Sequence, residues 1–309
     1  MTEPKSNALA GLQEEMERGS STKYILGVFC AVLFVSSGGV FVRLSPLPAV
    51  NTGFWRILFS LPMLLLCVAI ENKGLRVLAH IEKRDWVMML IGGVGLGLDL
   101  LLWNLSFDYT TLANANLFGT LVTLTIVPVS YFVFKEKIPK TFLLGGLIAI
   151  VGLVLLLSGK LNPSPENFGG DALAFGASVF YAIFLLAVYK TRDRVKSFAI
   201  MFVASLSCCL TMFIGALAIE GIVSPQSFGD AWPALGTALC SSIIGQGILG
   251  FCLGKVSASL SSIVLLSQPA VAAVYGFLFF QETLTGMEIA GMLITIAGIY
   301  FAKKGSKIS

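Results

Sequence analysis

Charge is what this chain is short of. Only 12% of its 309 residues are Asp, Glu, Lys or Arg, against 56% hydrophobic. A soluble globule of that length needs more polar surface to face water, so lipid is the solvent this composition fits. Histidine is nearly missing too: His80 stands alone, which excludes a histidine-built proton relay or an intramembrane zinc site. No Ser/His or paired-Asp constellation points to hydrolysis within the membrane. The cysteines Cys30, Cys67, Cys208, Cys209, Cys240 and Cys252 all fall inside hydrophobic runs and lack the spacing of a disulfide framework or a metal site, so they read as packing residues. A Walker sequence is absent, and no polar segment is long enough to form an ATP-binding domain. The spacing Gly245-x-Gly247-x-x-Gly250 imitates a dinucleotide fingerprint, but it lies within an uncharged run and follows no strand.

What the chain does have is ten long apolar runs: Tyr24–Val42, Leu47–Ile70, Trp86–Phe107, Tyr109–Phe134, Thr141–Gly159, Ala172–Tyr189, Ser197–Ile219, Ala231–Gly254, Val256–Gln281 and Gly286–Ala302. At about 1.5 Å per residue, a helix of that length crosses a hydrocarbon core about 30 Å thick. Lipid offers backbone groups no partner, so each run must be helical, and the chain is predicted to be an all-α membrane protein. Eighteen of the 21 basic residues lie in alternate gaps, on the side that also holds both ends of the chain. This places both termini in the cytoplasm of a multi-pass protein of the cytoplasmic (inner) membrane. The net charge of +4 is thereby explained by topology, and no nucleic-acid partner is expected. Residues 1–22 are polar and acidic and predict a cytoplasmic tail, disordered or lying on the surface, rather than a cleavable signal peptide; residues 305–309 form a second tail.

The chain repeats itself. A shift of 146 residues lays Glu136, Gly145, Leu147, Ile148, Ile150 and Gly152 on Glu282, Gly291, Leu293, Ile294, Ile296 and Gly298. A shift of 147 sets Arg43 opposite Lys190, Thr110 opposite Ser257 and Asp99 opposite Gln246. The expected units are a first five-helix repeat over 23–160, a linker over 161–170 and a second repeat over 171–304. Because five is odd, the second copy enters the membrane from the opposite side, an inverted pair suited to alternating access around a site between the repeats.

Trp55-Arg56-Ile57-Leu58, the run Tyr109–Leu117 (YTTLANANL) and Val133–Lys137 (VFKEK), with Val256–Gly298 in the second half, resemble the ten-helix drug/metabolite transporter superfamily, EamA-like branch. That resemblance implies an export-type secondary transporter of small metabolites. It also implies a central cavity walled by the first four helices of each repeat, with the fifth and tenth peripheral. One departure concerns proline. The second copy has Pro269 where the first has Thr123, with Pro128 further on. The kink of the fourth helix is therefore expected nearer the cytoplasm.

Within the helices only Arg56 and Asp99 are ionisable and deep, about 12–14 Å from the outer end at the helical rise. They read either as a fixed ion pair joining the second and third helices or as cavity residues that grip a charged substrate group. Asp99 is the candidate proton carrier. A touching guanidinium would favour its ionised form, a dry cavity its protonated form. Gln246 and Gln268, with Thr123, are either interhelical hydrogen-bond partners or cavity groups. Trp103, one turn beyond Asp99, and Trp55, beside Arg56, are either interfacial anchors or an aromatic cavity wall. Asn116 is favoured over Asn114 as a lining residue. Glu136 and Glu282 end two helices and are expected to meet backbone donors or lysines. The predicted substrate-binding set is Arg56, Asp99, Trp103, Asn116, Gln246 and Gln268, taking a small amphipathic metabolite such as an amino acid. No metal or cofactor is expected, membrane lipid is the surrounding partner, and the oligomeric state is open, a monomer being compatible with the sequence. The alternative activity is a lipid-linked group translocator, with a scaffold or membrane enzyme behind it.

Overall fold

A computed structural model describes residues 3–106, 108–161 and 164–305; Phe107 of the third run, Asn162 and Pro163 of the linker, and 306–309 of the tail lie outside these. Among the described residues ten helices are long and apolar enough to cross a membrane. In chain order they are Thr22–Leu44, Ala49–Asn72, Lys83–Ser106, Asn114–Phe132, Lys140–Leu157, Pro165–Thr191, Ser197–Ile219, Phe228–Leu253, Ala258–Phe280 and Gly286–Gly305, called spans 1 to 10 below.

Polar side chains mark where spans begin. Ser227 accepts from the Asp230 N–H at 3.3 Å while the Asp230 carboxylate accepts from the Ser227 N–H at 3.0 Å, a reciprocal cap at the start of span 8. Thr111 and Ser257 cap spans 4 and 9 alike, each hydroxyl accepting an N–H three residues on at 3.2 Å.

The inverted repeat is visible in the packing. Span 1 lies on spans 8 and 9, and its counterpart span 6 lies on spans 3 and 4; spans 2 and 7, 4 and 9, and 5 and 10 pair with each other. That is the pattern of a two-fold axis in the membrane plane. Local details repeat at the same offset. Lys135 and Gln281 both adopt φ 55°, letting the Glu136 and Glu282 N–H groups turn back to the carbonyls of Ser130 and Gly276 at 3.0 and 3.2 Å. Spans 5 and 10 meet through glycine: a Cβ added to Gly145, Gly152, Gly291 or Gly298 would stand 2.3–2.4 Å from a backbone nitrogen of the facing span. Backbones this close exclude side chains there, and the pair packs on spans 4 and 9 through Leu153, Leu156, Leu117 and Leu266.

One expectation is narrowed and one is corrected. The first helix runs continuously over Glu3–Leu44, so of the two alternatives for the polar tail the disordered one is set aside; its Leu, Ala, Glu and Lys are good helix formers and no proline follows Pro4 within it. Span 4 breaks between Leu112–Gly119 and Thr123–Phe132, not near Pro128, which sits inside the second piece. The break follows Gly119, where the Thr120 hydroxyl donates to the carbonyls of Asn116 and Leu117 at 2.7 and 3.0 Å. Those bonds loosen the helical ladder. It falls at the level of the break in span 9 between Ala258–Leu265 and Gln268–Phe280, so the two repeats bend alike.

Candidate functional site

Arg56, Asp99, Trp103, Asn116, Gln246 and Gln268, drawn from spans 2, 3, 4, 8 and 9, all line one cavity of about 170 Å³. Ser36 and Gly38 of span 1, Tyr181 of span 6, and Ser241 of span 8 complete its wall. The reason for convergence is that lipid tolerates none of these polar groups, so each helix turns its polar stripe inward. Glycines make the room. Gly39 has no atom within 4 Å of where a Cβ would stand, while a Cβ on Gly119 would lie 3.1 Å from the Trp103 indole, which packs against span 4 there.

Arg56 and Asp99 make no ion pair among the described residues, where the pairs are Arg43–Glu282, Lys160–Glu288 and Arg194–Asp85. The fixed structural bridge is therefore not formed. Both charges are presented to the cavity, and the Arg56 Nε is buried with no hydrogen-bond partner. Gln246 follows a π-helical segment, Ala238–Gly245, whose extra residue per turn rotates what comes after it; such bulges recur at functional positions. The Gln246 amide donates to the Tyr181 hydroxyl at 3.3 Å, and its oxygen is buried without a partner.

Span 7 contributes no cavity residue, contrary to the eight-helix wall. Where span 2 carries Arg56, span 7 carries Val203, fully buried, and its neighbours Met212 and Ala204 fill the contacts of Gly53 and Gly93. Other singled-out side chains hold the frame. Trp55 donates its indole N–H to the Val223 carbonyl at 2.8 Å. Asn114 donates to the Asp171 carboxylate at 3.0 Å, tying span 4 to span 6. Thr123 donates to the Ser262 carbonyl at 2.8 Å. Glu282 pairs with Arg43 rather than lysine, and Glu136 accepts from Ser259 at 2.6 Å. Tyr181 was not anticipated from sequence; the available signal was a tyrosine in mid-run, where interfacial anchoring does not apply. The π segment has no signature in the residue order.

A larger groove of about 350 Å³ runs between spans 3 and 6 past Leu90, Ile91, Phe180 and Ile183. It is lined by apolar side chains and Gly95, with Ile91 and Ile183 exposed. It offers nothing to orient a ligand and belongs to the lipid-facing surface. Among the described residues no three His, Cys, Asp or Glu side chains come together to hold a metal ion.

Two inverted five-helix units around a shared polar chamber are the architecture of a membrane transporter. The chain belongs to the EamA-like transporter family, which it matches over residues 22–158 and 168–303, one match per repeat. It is similar to a probable amino-acid metabolite efflux pump of Salmonella typhimurium, 27% identical over 57% of this chain and 62% of that one. It is also similar to the uncharacterized inner membrane transporter YhbE of Escherichia coli, 22% identical over 82% of both chains. The threonine/homoserine exporter RhtA of Salmonella typhimurium is 25% identical over 55% of this chain and 57% of its own length. The chain thus spans less than two thirds of the efflux pump and of RhtA. A solved crystal structure shares the fold with a TM-score of 0.73 at 18% identity, covering 92% of this chain and 97% of the other.

Proposed function

We propose that this protein is a secondary transporter of the inner membrane, both termini cytoplasmic, that exports a small zwitterionic metabolite such as an amino acid by alternating access. The observation that carries this reading is the unpaired Arg56 and Asp99 on the walls of one small cavity. Two opposite charges at membrane depth that do not touch are costly. A zwitterion relieves both, its carboxylate on the guanidinium and its ammonium on the Asp99 carboxylate, with the Trp103 ring against its apolar part. A carboxylate with no fixed cation is also free to take up a proton, so Asp99 is the group through which a proton gradient would act. The volume of about 170 Å³ suits a free metabolite better than the head of a lipid-linked sugar. The named relatives, an amino-acid metabolite pump and a threonine/homoserine exporter, support the same direction and substrate class.

The switch between faces is supported by an asymmetry between the repeats. At the outer end of span 1, Arg43 pairs with Glu282 and lies over the Phe280 ring at 4.1 Å. Their repeat counterparts at the inner face are Lys190, Glu136 and Phe134. Lys190 lies over Phe134 at 5.4 Å, but Lys190 and Glu136 form no ion pair among the described residues. Inverted repeats switch by exchanging conformations. The outer latch then opens as the inner one closes.

Purified protein in liposomes, assayed by counterflow of radiolabelled amino acids, tests the reading. Flux should require no other protein and should vanish in Arg56→Ala and Asp99→Asn proteins that still fold. Undiminished flux in both variants refutes the site. An imposed pH gradient that drives no uptake or exchange refutes proton coupling alone.

A further inference from the structure

Tyr181 and Gln246 form a neutral polar pair in the same cavity wall as the two charges. Both are more than nine-tenths buried, with 8% and 6% exposure, and they share one hydrogen bond of 3.3 Å. A phenol has one proton to give, and a primary amide has an acceptor oxygen and a two-proton donor. Both residues line the cavity; with the amide donating to the phenol oxygen, the phenol proton remains to be given and the amide oxygen is buried without a partner. Turning the amide over gives the phenol proton to the amide oxygen and leaves the amide N–H groups and the phenol lone pair unused. Either way one donor and one acceptor remain side by side. The Ser241 hydroxyl gives its own proton to the Val35 carbonyl at 3.3 Å and so donates nothing to the amide oxygen. Buried polar groups left unmet are costly, so the wall is complementary to a group that both donates and accepts.

We infer that Tyr181 and Gln246 are specificity-determining residues that select substrates carrying an uncharged hydroxyl or carboxamide on the side chain, over apolar substrates of the same shape. The inference rests on reading the cavity as a zwitterion site: Arg56 and Asp99 take the two charges common to all amino acids, and this pair reads what differs. A site built to bond a hydroxyl rejects an analogue lacking it, because its own groups then stay buried and unpaired. An apolar pocket of equal volume would not discriminate so sharply.

The test uses two near-isosteric pairs in proteoliposome counterflow, L-threonine against L-valine and L-asparagine against L-leucine. The native protein should favour the polar member of at least one pair by about tenfold or more in kcat/KM. Tyr181→Phe, which deletes one oxygen and no packing volume, should bring that ratio to within about twofold by lowering flux of the polar member while the apolar member continues to move. Gln246→Met, of similar length, should do the same. If Gln246→Met lowers the unfolding temperature, Tyr181→Phe decides alone. Equal transport within both pairs by the native protein overturns the inference and leaves the zwitterion site standing. A preference that survives Tyr181→Phe and Gln246→Met overturns it as well. Movement of none of the four amino acids overturns the inference together with the amino-acid reading.

Discussion

Replacing Arg43 by alanine tests the outer latch. The ion pair with Glu282 is open to water, its side chains 52% and 37% exposed, so its contribution lies in the range of screened surface pairs, about 0.2–1 kcal/mol. The guanidinium also lies 4.1 Å from the centre of the Phe280 ring, a contact that contributes about 0.5–1 kcal/mol. On the proposed alternating-access reading these together stabilise the closed outer face by about 0.7–2 kcal/mol, so their loss shifts the population toward the outward-open form by about threefold to thirtyfold. A thiol placed by Gly39→Cys reports the opening, because that position lines the cavity and an added Cβ meets no atom within 4 Å. Its reaction with a charged, membrane-impermeant reagent from outside should speed up by that factor in Arg43→Ala. Glu282→Ala should have the same sign, and adding it to Arg43→Ala should contribute little beyond the larger single effect. Removing Lys190, which serves the opposite face, should slow the reaction or leave it unchanged. Labelling that is indifferent to Arg43, or faster in Lys190→Ala than in Arg43→Ala, would refute the exchange of latches.

Other expected outcomes follow from contacts outside the cavity. Gly152→Ile or Gly298→Ile drives a side chain into the backbone of the facing span, where even a Cβ would come within 2.3–2.4 Å of a nitrogen. Thermal unfolding in detergent should show losses of about 3 kcal/mol or more, while Gly39→Ala leaves the midpoint in place. Arg194→Ala strands Asp85, a carboxylate 2% exposed that receives the guanidinium at 2.6 and 2.9 Å. It should destabilise the fold by about 1–3 kcal/mol, and Asp85→Asn in the same protein should restore part of that; no recovery would argue against a stranded charge. Glu220→Gln weakens the cap on span 2, where the carboxylate accepts the Val50 and Asn51 N–H groups at 3.1 and 2.9 Å. A loss of about 1 kcal/mol is expected, with faster hydrogen exchange confined to the first turn of span 2.

Much of the architecture was legible because lipid restricts the choices. Ten long apolar runs nearly free of charge can be nothing but spans, and a matched offset with an odd number of spans dictates an inverted pair. The same restriction picked out the chamber's polar lining. With so few polar groups in the runs, Arg56, Asp99, Trp103, Asn116, Gln246 and Gln268 stood out one by one, and all of them reach the same chamber. The break in span 4 was misjudged because Pro128 is the conspicuous kink former. The threonine hydroxyl after Gly119 loosened the helix instead.

The amino-acid order by itself determined which segments are spans, that the two halves are inserted oppositely, and which side chains must turn away from lipid, since hydropathy and helical rise settle these without reference to neighbours. Only the tertiary structure decided what those side chains meet. It left Arg56 and Asp99 apart, sent Asn114 to Asp171 and Asn116 to the cavity, took span 7 off the wall, and set Tyr181 against Gln246. The physical reason is rotation and bending: a few tens of degrees about a helix axis, fixed by glycine contacts, a π turn and the breaks in spans 4 and 9, chooses between a neighbouring helix and an open chamber, and no periodicity in a single span records that angle.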